Sequence, residues 1–456
     1  MFFTYGRLVG FQAGFMKVGV VGLGYIGLVW AAVLATRGFE VVGVDIDEGK
    51  VRAVSSGRVP FYEPRLSEMV SAALGEGLLR ATTRYEELRD AEAVFILVGT
   101  PPGPRGCADV SAVYDAARRV GEAWRGVGGE RLLVVRSTVP PGTTRRAGVI
   151  ASEASGLRLG SRLLLAFNPE FTREGSAVAD MLRPSRVVIG EYNRASGDAL
   201  EGLYRVLYGG GLPPVIRTSL ENAELAKYAS NVFLAARVSL INALALIAGR
   251  LEGGDIDAIA TILGLDPRIG REYLRAGLGF GGSCLPKDLA ALTCLAEEMG
   301  LEAVAGLLRS VWRVNEAMVE HAAGLLEEAL GGLRGRTVAV LGLAFKPGTD
   351  DTRESRSLRL VELLVERGAY VKAHDPVARP RLPEGAVLVD SVEEALRGAN
   401  AAVVATPWQE YVALTPGTYA RLLSEPRVVL DPWRVYTPAA FKRAGVRLVQ
   451  VGVRLE

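Results

Sequence analysis

Short runs of apolar, largely β-branched residues recur through the first part of the chain, each ended by glycine, proline, threonine or asparagine. Residues 17–21, 40–44, 93–98, 132–136, 163–166 and 186–189 read as buried strands, with segments of helical character between them. From about Ser219 the pattern becomes helical and stays so to about Leu330. Glu224, Lys227 and Asn231 recur there at three- and four-residue spacing, so they share one polar face flanked by apolar residues. A solvated stripe is the ordinary reading of such a face; the crowding of apolar residues on both sides suits a helix lining a cleft. Residues 337–341, 370–373 and 401–405 then open a second alternating region. The pattern predicts an α/β chain with two doubly wound domains joined by a long central helical segment.

Residues 17–21 run directly into GLGYIG, with Gly22, Gly24 and Gly27, then a helical stretch to about Arg37, a second strand and Asp45. In a dinucleotide fold the first glycine makes the turn and the second admits the pyrophosphate. The third lets helix and strand pack closely, and the helix N-terminus faces the phosphates. Asp45 stands about 20 residues on, where a carboxylate accepts from the ribose hydroxyls. It would repel a 2′-phosphate, so the expected cofactor is NAD, and both domains are expected to be Rossmann-like. Ligands in such sheets sit beyond the carboxyl ends of strands. Thr100, Thr138, Glu170 and Glu174 follow such ends, although a loop or cap role explains any one of them taken singly. The second region begins in parallel, TVAVLGLAFKPGTDDTRES, but Phe345-Lys346-Pro347 replaces the rest of the glycine turn. Lys346 and Arg353 suit a different phosphate-bearing ligand; a degenerate copy of the first domain is the alternative.

Composition narrows the partners. At 456 residues the chain exceeds one core, and a net charge of +2 leaves no footprint for nucleic acid or an anionic membrane. The apolar run 229–248 contains Asn231, Arg237 and Asn242, so it is expected to be a buried helix rather than a membrane span. Three cysteines without metal-type spacing predict neither a disulfide framework nor a metal site. Residues 1–15 lack the pattern of a signal peptide and are expected to be an N-terminal extension. The expected parts are 1–15, an NAD-binding domain 16–195, a central helical domain 196–330 and a second Rossmann-like domain 331–456. Long helices between two α/β units typically form a subunit interface, so a homodimer or higher oligomer is expected. The expected location is cytoplasmic.

Within the helical region GLGFGGSCLPKD places Cys284 in a run of four glycines, with Lys287 and Asp288 beyond. A thiol beside a cation is biased toward the nucleophilic thiolate. Neither histidine, His321 or His374, lies in a motif-like stretch. A simple alcohol dehydrogenase has no need of a thiol. One becomes necessary when an aldehyde is oxidised again through a covalent thioester that water then hydrolyses. Lys227 and Asn231 are suitable oxyanion donors, and Asp288, Thr138 or Glu174 could orient the water. The residues therefore fit a four-electron oxidation of a primary alcohol to an acid.

Six motifs occur in order: GLGYIG, STVPPGT, NPEFTREG, ELAKYASNVFLA, GFGGSCLPKD and GLAFKPGTDDTRES. Through them the chain resembles the UDP-glucose/GDP-mannose dehydrogenase family from Lys17 to about Trp433. The resemblance implies oxidation of the C6 hydroxymethyl of a nucleotide sugar, UDP-glucose first, with two NAD, and a UDP-sugar site in the C-terminal domain. It makes Cys284 the nucleophile, Lys227 and Asn231 the oxyanion donors, and Asp288 and Thr138 the water-orienting groups. Glu170 and Glu174 join them as the glutamates of the PEF-x-RE stretch. It implies NAD contacts from Gly22 to Gly27, including Tyr25 and Ile26, and from Asp45, Thr100, Thr138, Glu174 and Arg353. Substrate contacts would come from Glu170, Phe171, Lys227, Asn231, Tyr273, Phe280, Gly281 and Lys346, with Arg268 supplied by a neighbouring subunit. Two positions depart from or blur the pattern. Ala243 stands where the family often has glutamate, and Asn168 also occurs in GDP-mannose enzymes. GDP-mannose and UDP-N-acetylhexosamines therefore remain alternative substrates, and a two-electron hydroxyacid dehydrogenase or a catalytically silent nucleotide-binding regulator alternative functions.

Overall fold

A computed structural model describes residues 16–454, so the expected extension 1–15 lies outside the described residues. The described residues form two compact units, one ending at Ala229 and the other beginning at Ser230. In the first, the strands are β1 (Lys17–Val21), β2 (Glu40–Val44), β3 (Leu79–Thr82), β4 (Ala93–Ile96), β5 (Arg131–Val135), β6 (Leu163–Phe167), β7 (Val187–Glu191) and β8 (Val215–Ser219). They form one sheet in the order β3-β2-β1-β4-β5-β6-β7-β8, parallel except where β7 runs against β6. Strand order reverses at β1, which pairs with β2 on one side and β4 on the other. That is the point where such sheets bind ligands. One face carries Val18, Val20 and Phe95 against Trp30 and Leu34 of the helix Tyr25–Ala35. The other carries Val21, Val94 and Val135 against Val120 and Trp124. Burial on both faces is why these strands are apolar without alternation.

The second unit has β9 (Thr337–Leu341), β10 (Tyr370–His374), β11 (Ala386–Leu388), β12 (Ala401–Val404), β13 (Val428–Asp431) and β14 (Arg447–Gln450). These give an all-parallel sheet, β11-β10-β9-β12-β13-β14, again reversing at the first strand in sequence. The two sheets share the turn that follows that strand. Gly22 has φ +97° and its N–H donates to Val44 O at 2.7 Å; Gly342 has φ +98° and donates to His374 O at 2.8 Å. Asp45 Oδ2 accepts from Leu23 N at 2.8 Å, and Asp375 Oδ2 accepts from Leu343 N at 2.7 Å. Both domains are Rossmann-like, as the repeated turn and strand order require.

The helix Leu220–Ala248 runs through the boundary between the units, and the helices Leu285–Glu298 and Glu302–Leu330 belong to the second. Leu220–Ala248 is long and apolar enough to cross a membrane. Its polar residues are instead engaged by other parts of the fold: Glu224, Lys227 and Asn231 are 0, 4 and 8% exposed. Arg237 donates to the carbonyls of Ile269, Gly270 and Glu272 at 2.8–2.9 Å. Such a helix is a core element, and the solvated-stripe reading of its polar face is excluded.

Candidate active site

In the first unit the glycine turn is built by close approach. A Cβ at Gly27 would lie 1.8 Å from Gly22 O, and one at Gly22 would meet Leu97 O at 2.6 Å. Around Gly24 a Cβ would meet nothing within 4 Å, so that backbone is open to a ligand. The turn leads into the N-terminus of the helix Tyr25–Ala35, whose first turn carries no acidic residue. An open glycine at a helix N-terminus fits a pyrophosphate. Asp45 also accepts from Asp47 N at 2.9 Å, so it fixes the turn and its own loop at the edge where a ribose would lie. Ile26 packs on the core. Tyr25 donates to Glu63, whose buried carboxylate also accepts from Gly175 N at 2.9 Å and Val178 N at 3.1 Å. Burial and the Glu63 carboxylate push the Tyr25 hydroxyl up, so it stays a donor. Glu63 thereby ties the glycine turn to the loop of Glu170, Phe171 and Glu174, a link that sequence reasoning missed. Its signal was FYEP, a glutamate between aromatic and proline.

Beyond β4 and β5, Thr100 Oγ1 donates to Thr138 O at 2.9 Å and Ser137 Oγ to Val98 O at 2.7 Å. These bonds stitch two of the expected ligand loops together. Lys227 Nζ donates to Glu170 O at 2.6 Å and Glu170 Oε1 at 3.1 Å. Burial alone would raise the Glu170 carboxyl, but the Lys227 ammonium and two donors from Thr172 hold it below its usual range. The Phe171 ring lies 5.4 Å from Lys227 Nζ. Asn168 is buried; it accepts from Arg136 and Tyr204 and donates to Val188 O at 2.8 Å. Its side chain is committed to these partners. Glu224 accepts from Gly142 N and Thr144 N, each at 2.7 Å, capping the helix Thr143–Ser155 just after STVPPGT.

In the second unit Cys284 is exposed at the N-cap of the helix Leu285–Glu298, where the dipole favours an anionic sulfur. Asp288, one turn on, is buried and accepts from Asn231 Nδ2 at 2.5 Å and Lys287 Nζ at 2.5 Å. It positions these two donors; the Lys287 cation expected beside the thiol is bonded to Asp288. The glycines before Cys284 fill narrow gaps. A Cβ at Gly279 would meet Asn315 Oδ1 at 2.4 Å, at Gly281 the Glu354 carbonyl at 2.3 Å, and at Gly282 the Phe345 ring at 2.7 Å. Asn315 accepts from Phe280 N at 2.7 Å and donates to Phe280 O at 3.0 Å, and Asn242 accepts from Gly277 N at 2.9 Å. These two buried asparagines clamp the loop. The Phe280 ring packs among Val232, Leu289 and Leu308, 6.1 Å from Trp312, so its buried side chain anchors the loop. Gly282 N donates to Arg353 O at 3.0 Å, joining the cysteine loop to the stretch that bears Lys346. Arg353 is paired with Asp351 at 2.6 Å. Tyr273 has φ +62°, in a loop held by Arg237. Arg268 is 87% exposed and paired with Asp266 at 2.5 Å.

The UDP-glucose/GDP-mannose dehydrogenase family matches along the chain: its NAD binding domain over residues 16–208, its central domain over 221–317 and its UDP binding domain over 339–438. The chain belongs to this family. It is 42% identical to the UDP-glucose 6-dehydrogenase AglM of Haloferax volcanii, over 92% of this chain and 97% of that one. Against TuaD of Bacillus subtilis, also a UDP-glucose 6-dehydrogenase, identity is 37% over 96% and 93%. A UDP-glucose dehydrogenase from Pyrobaculum islandicum superposes with a TM-score of 0.87 at 41% identity, covering 98% of this chain and all of that chain. A UDP-D-ManNAc dehydrogenase from Pyrococcus horikoshii gives 0.85 at 31%, over 96% and 99%. NAD is the cofactor of the family's N-terminal domain, which this chain carries with its glycine turn intact.

Proposed function

We propose that this chain is an NAD-dependent UDP-glucose 6-dehydrogenase, converting UDP-glucose to UDP-glucuronate in the cytoplasm as a homodimer or larger assembly. The exposed thiol of Cys284 at a helix N-terminus, beside the bonded set Asn231–Asp288–Lys287, carries the reading. Relatives named for UDP-glucose favour that sugar. Gly22–Gly27 and Asp45, with Thr100, Glu174 and Arg353 alongside, would hold two NAD in turn, each of which would accept one hydride. The first hydride comes as the C6 alcohol loses a hydride and a proton to become the aldehyde, the second from the thiohemiacetal. The Cys284 thiolate adds to the C6 aldehyde, forming a C–S bond and an oxyanion. Lys227 and Asn231 donate to that oxyanion in the thiohemiacetal. Its oxidation leaves a thioester, and water, oriented by Thr138 and Asp288, cleaves the C–S bond to give the carboxylate and return the thiol. Glu170 fixes Lys227. Lys346, Tyr273, Phe171 and the backbone of Phe280 and Gly281 would hold the nucleotide sugar, with Arg268 from a second copy.

Wild-type enzyme should form two NADH per UDP-glucuronate. Cys284→Ser should form at most one NADH per site and stop at the aldehyde level. Full turnover by that variant, or a stoichiometry of one NADH with a stable aldehyde product, would overturn the thioester route. A panel of UDP-glucose, UDP-N-acetylhexosamines and GDP-mannose tests the sugar.

A further inference from the structure

The first unit contains a cavity of about 350 Å³ that borders neither the glycine turn nor Lys227. Its wall includes Arg136, Arg183, Arg186, Phe171, Tyr204 and Tyr208. Charge is unevenly distributed there. Asp180, also at the wall, is paired with Arg173 at 2.8 Å, and the Glu170 carboxylate with Lys227. Arg136, Arg183 and Arg186 form no ion pair with any described residue. Arg136 is the decisive group. It is 7% exposed, lies 4.3 Å over the Trp30 ring and gives Nη1 to Asn168 and Tyr204, yet its buried Nε donates to no described residue. The Glu170 carboxylate lines the same cavity and acts on Arg136, but it is already bonded to Lys227, so one carboxylate is shared among several cations. Arg186 covers the Phe171 ring at 3.9 Å and, among the described residues, donates only to Ser185.

We propose that this cavity is a binding site for a phosphate-bearing small molecule other than NAD and the nucleotide sugar, sharing with the substrate site only the loop of Glu170 and Phe171. Planar guanidinium forks match phosphoryl oxygens, and the Tyr204 and Tyr208 rings, stacked at 5.8 Å, offer a flat wall for the rest of such a ligand. The volume is within the range of small-molecule pockets. Occupancy would also reach the chemistry. Arg186 touches Phe171, which follows Glu170, the partner of Lys227, so an anion drawing Arg186 inward shifts the residue beside the oxyanion donor. This last clause rests on the function proposed above, whereas binding itself does not.

Titration calorimetry with inorganic phosphate, at fixed ionic strength and with NAD and UDP saturating, tests the site without turnover. Saturable binding that persists under those conditions is expected. It should weaken at least tenfold in Arg186→Gln and several-fold in Arg183→Ser, an exposed change that leaves the core untouched. The proposal fails if phosphate does not saturate, if UDP abolishes its binding, or if both variants bind as the wild type does. Soaked crystals showing phosphate away from Arg136 would overturn it equally.

Discussion

At the scale of single residues, two buried glutamates on or facing one helix titrate in opposite senses. Glu170 is held low by Lys227 and Thr172 despite its burial, whereas burial raises Glu224 to about 7. For Glu224 the folded state keeps a proton that the unfolded chain has already lost. Its contribution is therefore greatest below the ordinary carboxylate pKa, falls as pH rises from there, and levels off above about 7. Thermal melts of wild type and Glu224→Gln across pH 4.5 to 8.5 check this. The wild-type advantage should shrink through that window and then stay constant; an advantage that grows with pH would contradict the assignment. Lys227→Met should lower kcat by about 10²–10³-fold, the usual loss for an oxyanion donor. Glu170→Gln should retain more activity, since Lys227 keeps the Glu170 carbonyl at 2.6 Å; steady-state NADH formation reads both. Lys227 and Asn231 were legible because helical spacing put them on a polar face that apolar neighbours excluded from solvent. Arg136 and Glu63 were not, because their partners Tyr204 and Gly175 are distant in sequence.

At the scale of elements, the cysteine loop is specified less by its own glycines than by what presses on them. The glycine run announced close approach; it could not name Asn315, Phe345 or the Glu354 carbonyl as the groups approached. Nor could a lone asparagine inside an apolar helix show that it replaces backbone partners for an irregular loop. Asn315→Ala leaves Phe280 N and O without those partners, at a cost of about 1–3 kcal/mol. Chemical denaturation of the isolated variant should show that loss. Its kcat should fall further than its KM rises, because the loop that delivers Cys284 loosens; unchanged kcat would mean the clamp serves folding alone. The strands tell the same story of context. β1, β2 and β9 were readable to the residue, being strongly apolar and flanked by glycine. Strands such as β3, β8, β11 and β14 are short or carry polar residues, and neighbouring strands rather than periodicity define them.

At the scale of the whole molecule, both sheets keep one turn, with Gly22 and Asp45 answered by Gly342 and Asp375, and only the first continues it into an open glycine. The parallel was visible as VVGLGYI against VLGLAFK, with an aspartate after the second strand of each; that Asp375 closes its turn as Asp45 does is seen in its bond to Leu343 N. A further whole-molecule feature is the exposed face of the helix Leu220–Ala248, where Phe233, Leu240 and Ile247 recur every seven residues. An exposed apolar stripe of this kind suits a covered surface, and the proposed homodimer would cover it with a self-complementary one. Arg268 is exposed and paired with Asp266, and the proposal that it serves the site of a second copy can be measured. Cys284→Ser and Arg268→Ala should each be nearly inactive alone. Co-refolded in equal amounts, half the pairs are mixed and each mixed pair holds one intact site, so about a quarter of wild-type activity should return if Arg268 acts across the interface. If Arg268 serves its own chain, every site in the mixture lacks one group and no activity returns, whatever the oligomeric state.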